Sequence, residues 1–255
     1  MKQYVVDAFT DTLFSGNPAA VCVLESNLSD DLMLNIAKEN NLSETAFITK
    51  DDGVYNLRWF TPTGEIDFCG HATLASAFTL FNFYDETEKI VFKTMKDTIV
   101  VNKIDDYYEL IFPKYNYKQI EISDDMISAF SVEPLEAFLS RDLLLVFDNK
   151  DYRKIKPNFN LISSLNATCV AITTNSSDYD CISRVFAPSL GIDEDPVTGS
   201  THCLIAPYWS QKLNKKEIKA YQDSSRGGFL QCTVLEDKVK ILGKAVLYSI
   251  SELQI

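Results

Sequence analysis

Cys69-Gly70-His71 places a thiol, a flexible backbone and an imidazole in a row, at the head of an uncharged stretch that runs to Tyr84. The chain has two histidines and six cysteines, so this adjacency bears on its chemistry. A thiol at a helix N-terminus is acidified and can act as a nucleophile or as a proton-transfer base. A histidine just past a helix-opening glycine can orient a substrate or hold a proton. Cys69, His71, His202 and Cys203 together have a zinc-like composition. Their C-x-H and adjacent H-C spacings match no zinc pattern, so no metal is expected.

The carboxylates are more telling. Glu44 lies in NNLSETAFITK, where strand alternation puts it with Leu42, Ala46 and Ile48 on an apolar face. A desolvated carboxylate there would have a raised pKa suited to general acid–base work, whereas on an edge strand it would be an ordinary surface glutamate. Asp193, Glu194 and Asp195 precede a second glycine-led uncharged run, where acids favour a helix dipole. Gly16-Asn17-Pro18 reads as a tight turn that also offers Asn17 to a ligand. His202 reads as packing, and so do the cysteines, for which buried small apolar side chains are the favoured alternative even at Cys69. No phosphate-binding GxGxxG or GxxxxGK[ST] occurs.

The elements that must position these residues are mostly strands. Strand-like runs fall at 3–9, 19–24, 43–49, 54–60, 89–94, 98–103 and 107–112. Others fall at 142–147, 168–174, 181–186, 217–222, 229–235 and 238–250, the last as two strands. A helix is predicted over 29–40, capped by Ser29 with Asp30 and Asp31 in its first turn. Clusters of strands between few helices predict an α+β fold.

The chain also repeats itself. Arg58-x-Phe60-x-Pro62, then Gly64-Glu65-Ile66-Asp67, then Gly70-His71 is echoed by Arg184-x-Phe186-x-Pro188, then Gly191-Ile192-Asp193, then Gly199-Ser200. The repeat predicts two pseudo-symmetric lobes, 1–115 and 116–255, each a strand-rich roll around one buried central helix, with the site in the cleft between them. Pro207 in the second run is expected to kink that helix or end it early.

Formal net charge is −12 and the pI about 4.6, which disfavours a nucleic-acid partner. A small anion is still allowed, because helix N-termini bind anions without lysine. No run reaches the ~20 apolar residues of a membrane span. The N-terminus does not read as a signal peptide, so a cytoplasmic location and reduced cysteines are expected.

Four stretches, DAFTDTLFSGNPAAV, NNLSETAFI, FTPTGEIDFCGHATLA and DEDPVTGSTHCLIAPYW, resemble the phenazine-biosynthesis PhzF-like family in order across nearly the whole chain. The resemblance implies a diaminopimelate epimerase-like fold, a homodimer, and a cofactor-free proton shift on a small anionic metabolite. It implies Glu44 as the catalytic acid/base, His71 as its support, and Asp195 and Ser200 as further site residues. Gly70, Gly199, Ser200 and Asn17 are then expected to contact substrate. Related epimerases carry cysteines at the positions of Cys69 and Thr198, so here only the first thiol remains. A racemase using Cys69 with a non-thiol partner, and a non-catalytic binding protein, are the alternative readings.

Overall fold

In the computed structural model, which describes residues 1–255, the chain starts β1 (Lys2–Ala8), β2 (Asn17–Leu24), α1 (Asp30–Asn40), β3 (Glu44–Asp51), β4 (Val54–Thr61) and β5 (Gly64–Ile66). It continues through α2 (Gly70–Phe83), β6 (Lys89–Lys93), β7 (Thr98–Ile104), β8 (Tyr107–Pro113), β9 (Lys118–Ile120), α3 (Asp124–Phe130), β10 (Glu136–Leu139) and β11 (Leu143–Val146). After α4 (Asn149–Tyr152) and α5 (Phe159–Ser163) come β12 (Val170–Thr174), β13 (Cys181–Ala187), β14 (Ile192–Asp195) and α6 (His202–Leu213). The last strands are β15 (Glu217–Gln222), β16 (Gly228–Val234), β17 (Lys238–Gly243) and β18 (Ala245–Glu252). The fold is α+β, as strand clusters between few helices predict.

Two compact units form, one of Met1–Ile111 with Ile241–Ile255, the other of Phe112–Lys240. The C-terminal segment, expected in the second lobe, therefore belongs to the first unit. The reason is a full-length antiparallel pairing of β18 with β1, from Lys2 opposite Glu252 to Ala8 opposite Ala245.

Within the first unit β1 pairs antiparallel with β2, β2 parallel with β3, and β3 antiparallel with β4. β4 then takes β5 antiparallel and β6 parallel, and β6 pairs antiparallel with β7. In the second unit β10, β11, β12, β13, β14, β15 and β16 repeat that sequence of pairings step for step. The duplication is thus topological. Setting Phe60 against Phe186 makes Thr45 the counterpart of Val170, since each lies opposite that phenylalanine.

The repeated motif has one structural purpose in both units. Arg58 donates from Nε and Nη2 to the two oxygens of Glu65 at 2.7 Å each, and Arg184 does the same to Glu194 at 2.8 Å. Each guanidinium carbon stands 5.1 Å from the ring of the phenylalanine two residues on. These bidentate pairs tie β4 to β5 and β13 to β14. They also correct the repeat's register. Glu194 is the counterpart of Glu65, so the two Gly…Ile-Asp matches in the sequence are out of step by two to three residues. Nor do Asp193, Glu194 and Asp195 serve a helix dipole: they form strand β14.

α2 is buried on nearly every face, from Gly70 to Phe81, and packs on β1, β2, β3, β7 and β18. A helix apolar all round needs such a wrapping. α6 is likewise buried from His202 to Trp209 and packs on β15 and β16. It begins at His202 rather than at Gly199, because Gly199–Thr201 form a turn in which the His202 amide donates to the Gly199 carbonyl at 3.1 Å. It also runs through Pro207 to Leu213. Proline at 207 leaves the Cys203 carbonyl without its helical donor. The Tyr115 amide supplies one at 3.1 Å, which removes the main penalty and lets the helix continue.

His202 is fully buried, with Nδ1 donating to the Thr198 carbonyl at 2.8 Å and no hydrogen-bond partner for Nε2. Burial depresses its pKa to about 4, the Thr198 hydrogen bond opposing. A base whose folded pKa lies below its unfolded value near 6.5 contributes stability above that value and loses it as pH falls. The loss, about 3 kcal/mol, should develop between roughly pH 6.5 and 4. His202→Leu should therefore flatten the acid limb of a Tm-against-pH curve; an unchanged limb would show that His202 does not titrate on unfolding.

Candidate active site

The polypeptide reaches Asn17 through Gly16, whose φ of +68° is a left-handed conformation. A Cβ there would lie 2.2 Å from the Ala8 carbonyl oxygen, so only glycine lets the turn close against β1. Asn17 then starts β2, and its parallel pairing with β3 sets Ala19 beside Glu44. Glu44 is buried, 7% exposed, against the edge-strand alternative, but not through alternation: Glu44 to Thr49 are all buried, so β3 is covered on both faces. Cys69, also buried, is the N-cap of α2 with no side-chain cap hydrogen bond, and His71 follows in the first turn.

These residues meet. His71 Nε2 lies 3.0 Å from Glu44 Oε2, and on the other side of the ring Nδ1 lies 3.2 Å from Asn17 Nδ2 and 3.5 Å from Cys69 Sγ. The Glu44–His71 approach is an ion-pair contact off hydrogen-bond alignment, and neither of those two atoms has another hydrogen-bond partner. In the neutral ring, donation from the Asn17 amide to Nδ1 leaves the hydrogen on Nε2, facing Glu44. Burial disfavours the imidazolium, but Cys69 and Glu44 on its two sides raise the His71 pKa well above its ordinary value.

Cys69 follows the packing reading rather than the acidified-nucleophile one. Its thiol is pushed up, first by burial and then by the charge of Glu44, which outweigh His71 and the helix start. It is a protonated thiol at neutral pH, not an acidified nucleophile. Glu44, Cys69 and His71 offer ligand atoms within 4.8 Å of one another, close enough to consider a metal. The imidazole stands between the other two with one nitrogen facing each. That is the arrangement of a proton relay, rather than of three corners around an ion.

The second unit builds its own cluster. Asp195 accepts a hydrogen bond from the Thr198 hydroxyl, at the position equivalent to Cys69. Buried Gln222 braces this turn: Oε1 accepts from the Thr198 amide at 2.9 Å, while Nε2 donates to the Asp195 carbonyl at 2.7 Å and to Thr198 Oγ1 at 3.2 Å. Ser200 follows Gly199, and its Oγ accepts from Arg141 Nη2 at 3.3 Å. Gln222 and Arg141 were not singled out in the sequence, since each contacts the cluster from a strand or loop distant along the chain.

A family model described as phenazine biosynthesis-like protein matches residues 6–250. The chain belongs to that family. An uncharacterised isomerase of Halalkalibacterium halodurans is 44% identical to it, over 98% of this chain and 97% of the other. A crystal structure of a PhzF-family phenazine biosynthesis protein from Enterococcus faecalis matches with a TM-score of 0.97 at 46% identity, covering 100% of this chain and 99% of that one. A hydroxyproline epimerase from Agrobacterium vitis, with TM-score 0.64 and 12% identity over 99% and 90% of the two chains, shares the fold alone. The PhzF-like chain is an isomerase. No helix in it is long and apolar enough to cross a membrane.

The raised His71 pKa fixes a sign for this PhzF-like isomerase. A histidine whose folded pKa exceeds its unfolded value contributes stability that is complete below about pH 6.5 and lost as pH rises through the folded pKa. The Tm gap between the wild type and His71→Gln should accordingly be widest below about pH 6.5 and close as pH rises to the alkaline side. A gap that widens with pH would mean that the ring is neutral when folded.

Proposed function

We propose that the chain is a cofactor-independent isomerase that shifts a proton on a small carboxylate-bearing metabolite, with Glu44 as general acid and base. The observation that supports this most directly is the buried contact of Glu44 with His71, in which Oε2 and Nε2 lack hydrogen-bond partners. Unsatisfied buried polar atoms are costly, and they point to a task other than stability.

In this reading Glu44 takes a proton from one carbon of the substrate and returns it to another. His71, beside Glu44, steadies the carboxylate while it is a base, and the proton taken from the substrate stays on Glu44 until it is returned. The backbone at Gly70, where α2 begins, offers donors and a positive dipole end to charge developing on the substrate. Asp195 and Ser200, with the backbone at Gly199, are the other groups proposed to orient it.

Cys69 is not assigned the base. Its thiol is protonated, and the position that would need the partner thiol is Thr198, whose hydroxyl is committed to Asp195. This speaks against the racemase alternative.

Deuterium exchange into candidate carboxylates in D2O, followed by NMR, reads the reaction without knowledge of the product. Glu44→Gln should lower the exchange rate by about 10²- to 10⁴-fold, the usual worth of a positioned acid–base group. Full exchange in that variant would remove Glu44 from the mechanism. Cys69→Ser should stay within a few-fold of the wild type, and a loss comparable to Glu44→Gln would restore the thiol mechanism.

A further inference from the structure

The two halves repeat a topology but not a charge. Matching Phe60 to Phe186 through the strand registers places Cys169 where the first half has Glu44, and Arg141 where it has Pro18. Ser200 likewise stands where the first half has His71. Burial pushes the Cys169 thiol up to about 12, so no base exists at this position at neutral pH. What the second half has instead is a guanidinium.

Arg141 is held from behind. Its Nε donates to Asp142 Oδ1 at 3.1 Å and its Nη2 to Oδ2 at 3.3 Å; Asp142 is fully buried and also accepts from the Thr201 hydroxyl at 2.9 Å. The guanidinium carbon lies 5.3 Å from the Tyr115 ring. These contacts fix the plane of the group while leaving its side chain 36% exposed and Nη1 without a protein partner. Arg141 lines a cavity of 520 Å³ with Thr168, Asn166, Ser164 and Leu190. Ser200 Oγ accepts from Nη2, which frees its own hydrogen to be donated to a ligand.

We propose that Arg141 and Ser200 form a carboxylate-binding site on the second unit. A planar guanidinium edge matches a carboxylate's two oxygens. A single negative charge suits the site better than a phosphate dianion, because Asp142 already answers part of the arginine's charge and Asp195 lies near enough to act on Cys169 as well. The two halves thus differ in charge, with a carboxylate and imidazole in the first and a guanidinium in the second.

The test uses benzoate as probe and benzamide, its uncharged isostere, as control, with binding to the whole protein followed by ligand-observed NMR. Wild type should bind benzoate at least tenfold more tightly than benzamide. Arg141→Gln should abolish that preference. Arg141→Lys keeps a positive charge beside Asp142 and loses only the fork, so it should retain the fold and bind benzoate several-fold less tightly than the wild type. It decides the question if Arg141→Gln does not fold. Benzoate binding is read without turnover and deuterium exchange without benzoate, so a failed proton-transfer assignment and a failed anion site give different results. Absence of benzoate binding to the wild type, or wild-type preference in both folded Arg141 variants, overturns the proposal.

Discussion

A carboxylate and an imidazole in contact at 3.0 Å, both at the edge of complete burial, are the constraint around which the first unit is arranged. Removing two ionisable groups from water costs several kcal/mol each unless they neutralise one another. The pair is therefore expensive without help, and the surrounding structure supplies it. β2 and β3 run parallel, which brings Asn17 and Glu44 to the same end of neighbouring strands. Gly16 lets the chain turn tightly enough for Asn17 to reach the far nitrogen of His71. α2 begins one residue before His71 and carries no acid or base in its first or last turn to compete for the pair.

Duplication explains why such a site can exist at all. One sequence of pairings, antiparallel then parallel then antiparallel, is used twice, and both times it delivers a strand start and a helix start to one place. The same Arg–Glu fork and Phe ring stabilise both copies at the strand hairpin. With the scaffold held constant, the residues at the helix starts were free to differ. Thr198 and Ser200 stand at the places of Cys69 and His71, and Cys169 at the place of Glu44. A thiol with a pKa pushed up to about 12 is a packing group, so the second half has hydrogen-bond donors but no base at that place.

Much of this was legible in the sequence, for reasons that also mark its limits. The apolar character of NNLSETAFITK marked Glu44 as buried, although β3 is buried on both faces and alternation did not decide it. The R-x-F-x-P repeat revealed two halves because it is a local pattern. The pairing of β18 with β1 joins residues about 250 apart, and no local pattern announces it. Pro207 reads as a helix breaker until the Tyr115 amide, from a distant loop, is seen to satisfy the Cys203 carbonyl. Helix-start position suggested an acidic thiol at Cys69, whereas burial and Glu44, known only in three dimensions, reverse the sign. Gln222 and Arg141 were invisible because a polar residue in a strand or loop looks the same whether it meets solvent or a site.

The acidity of the whole chain bears less on anion recognition than its net charge of −12 suggests. Exposed charges more than ~8 Å away are screened at physiological ionic strength, so affinity is decided by the groups that touch the ligand. Helix starts provide such groups without formal charge, and Arg141 provides one with charge, kept in place by buried Asp142 rather than by the surface. The acidic exterior acts mainly on encounter, slowing the approach of an anion, whereas a held guanidinium acts on residence once the anion has arrived. An acidic surface is thus compatible with anion binding, provided that the few compensating donors are fixed before the ligand arrives.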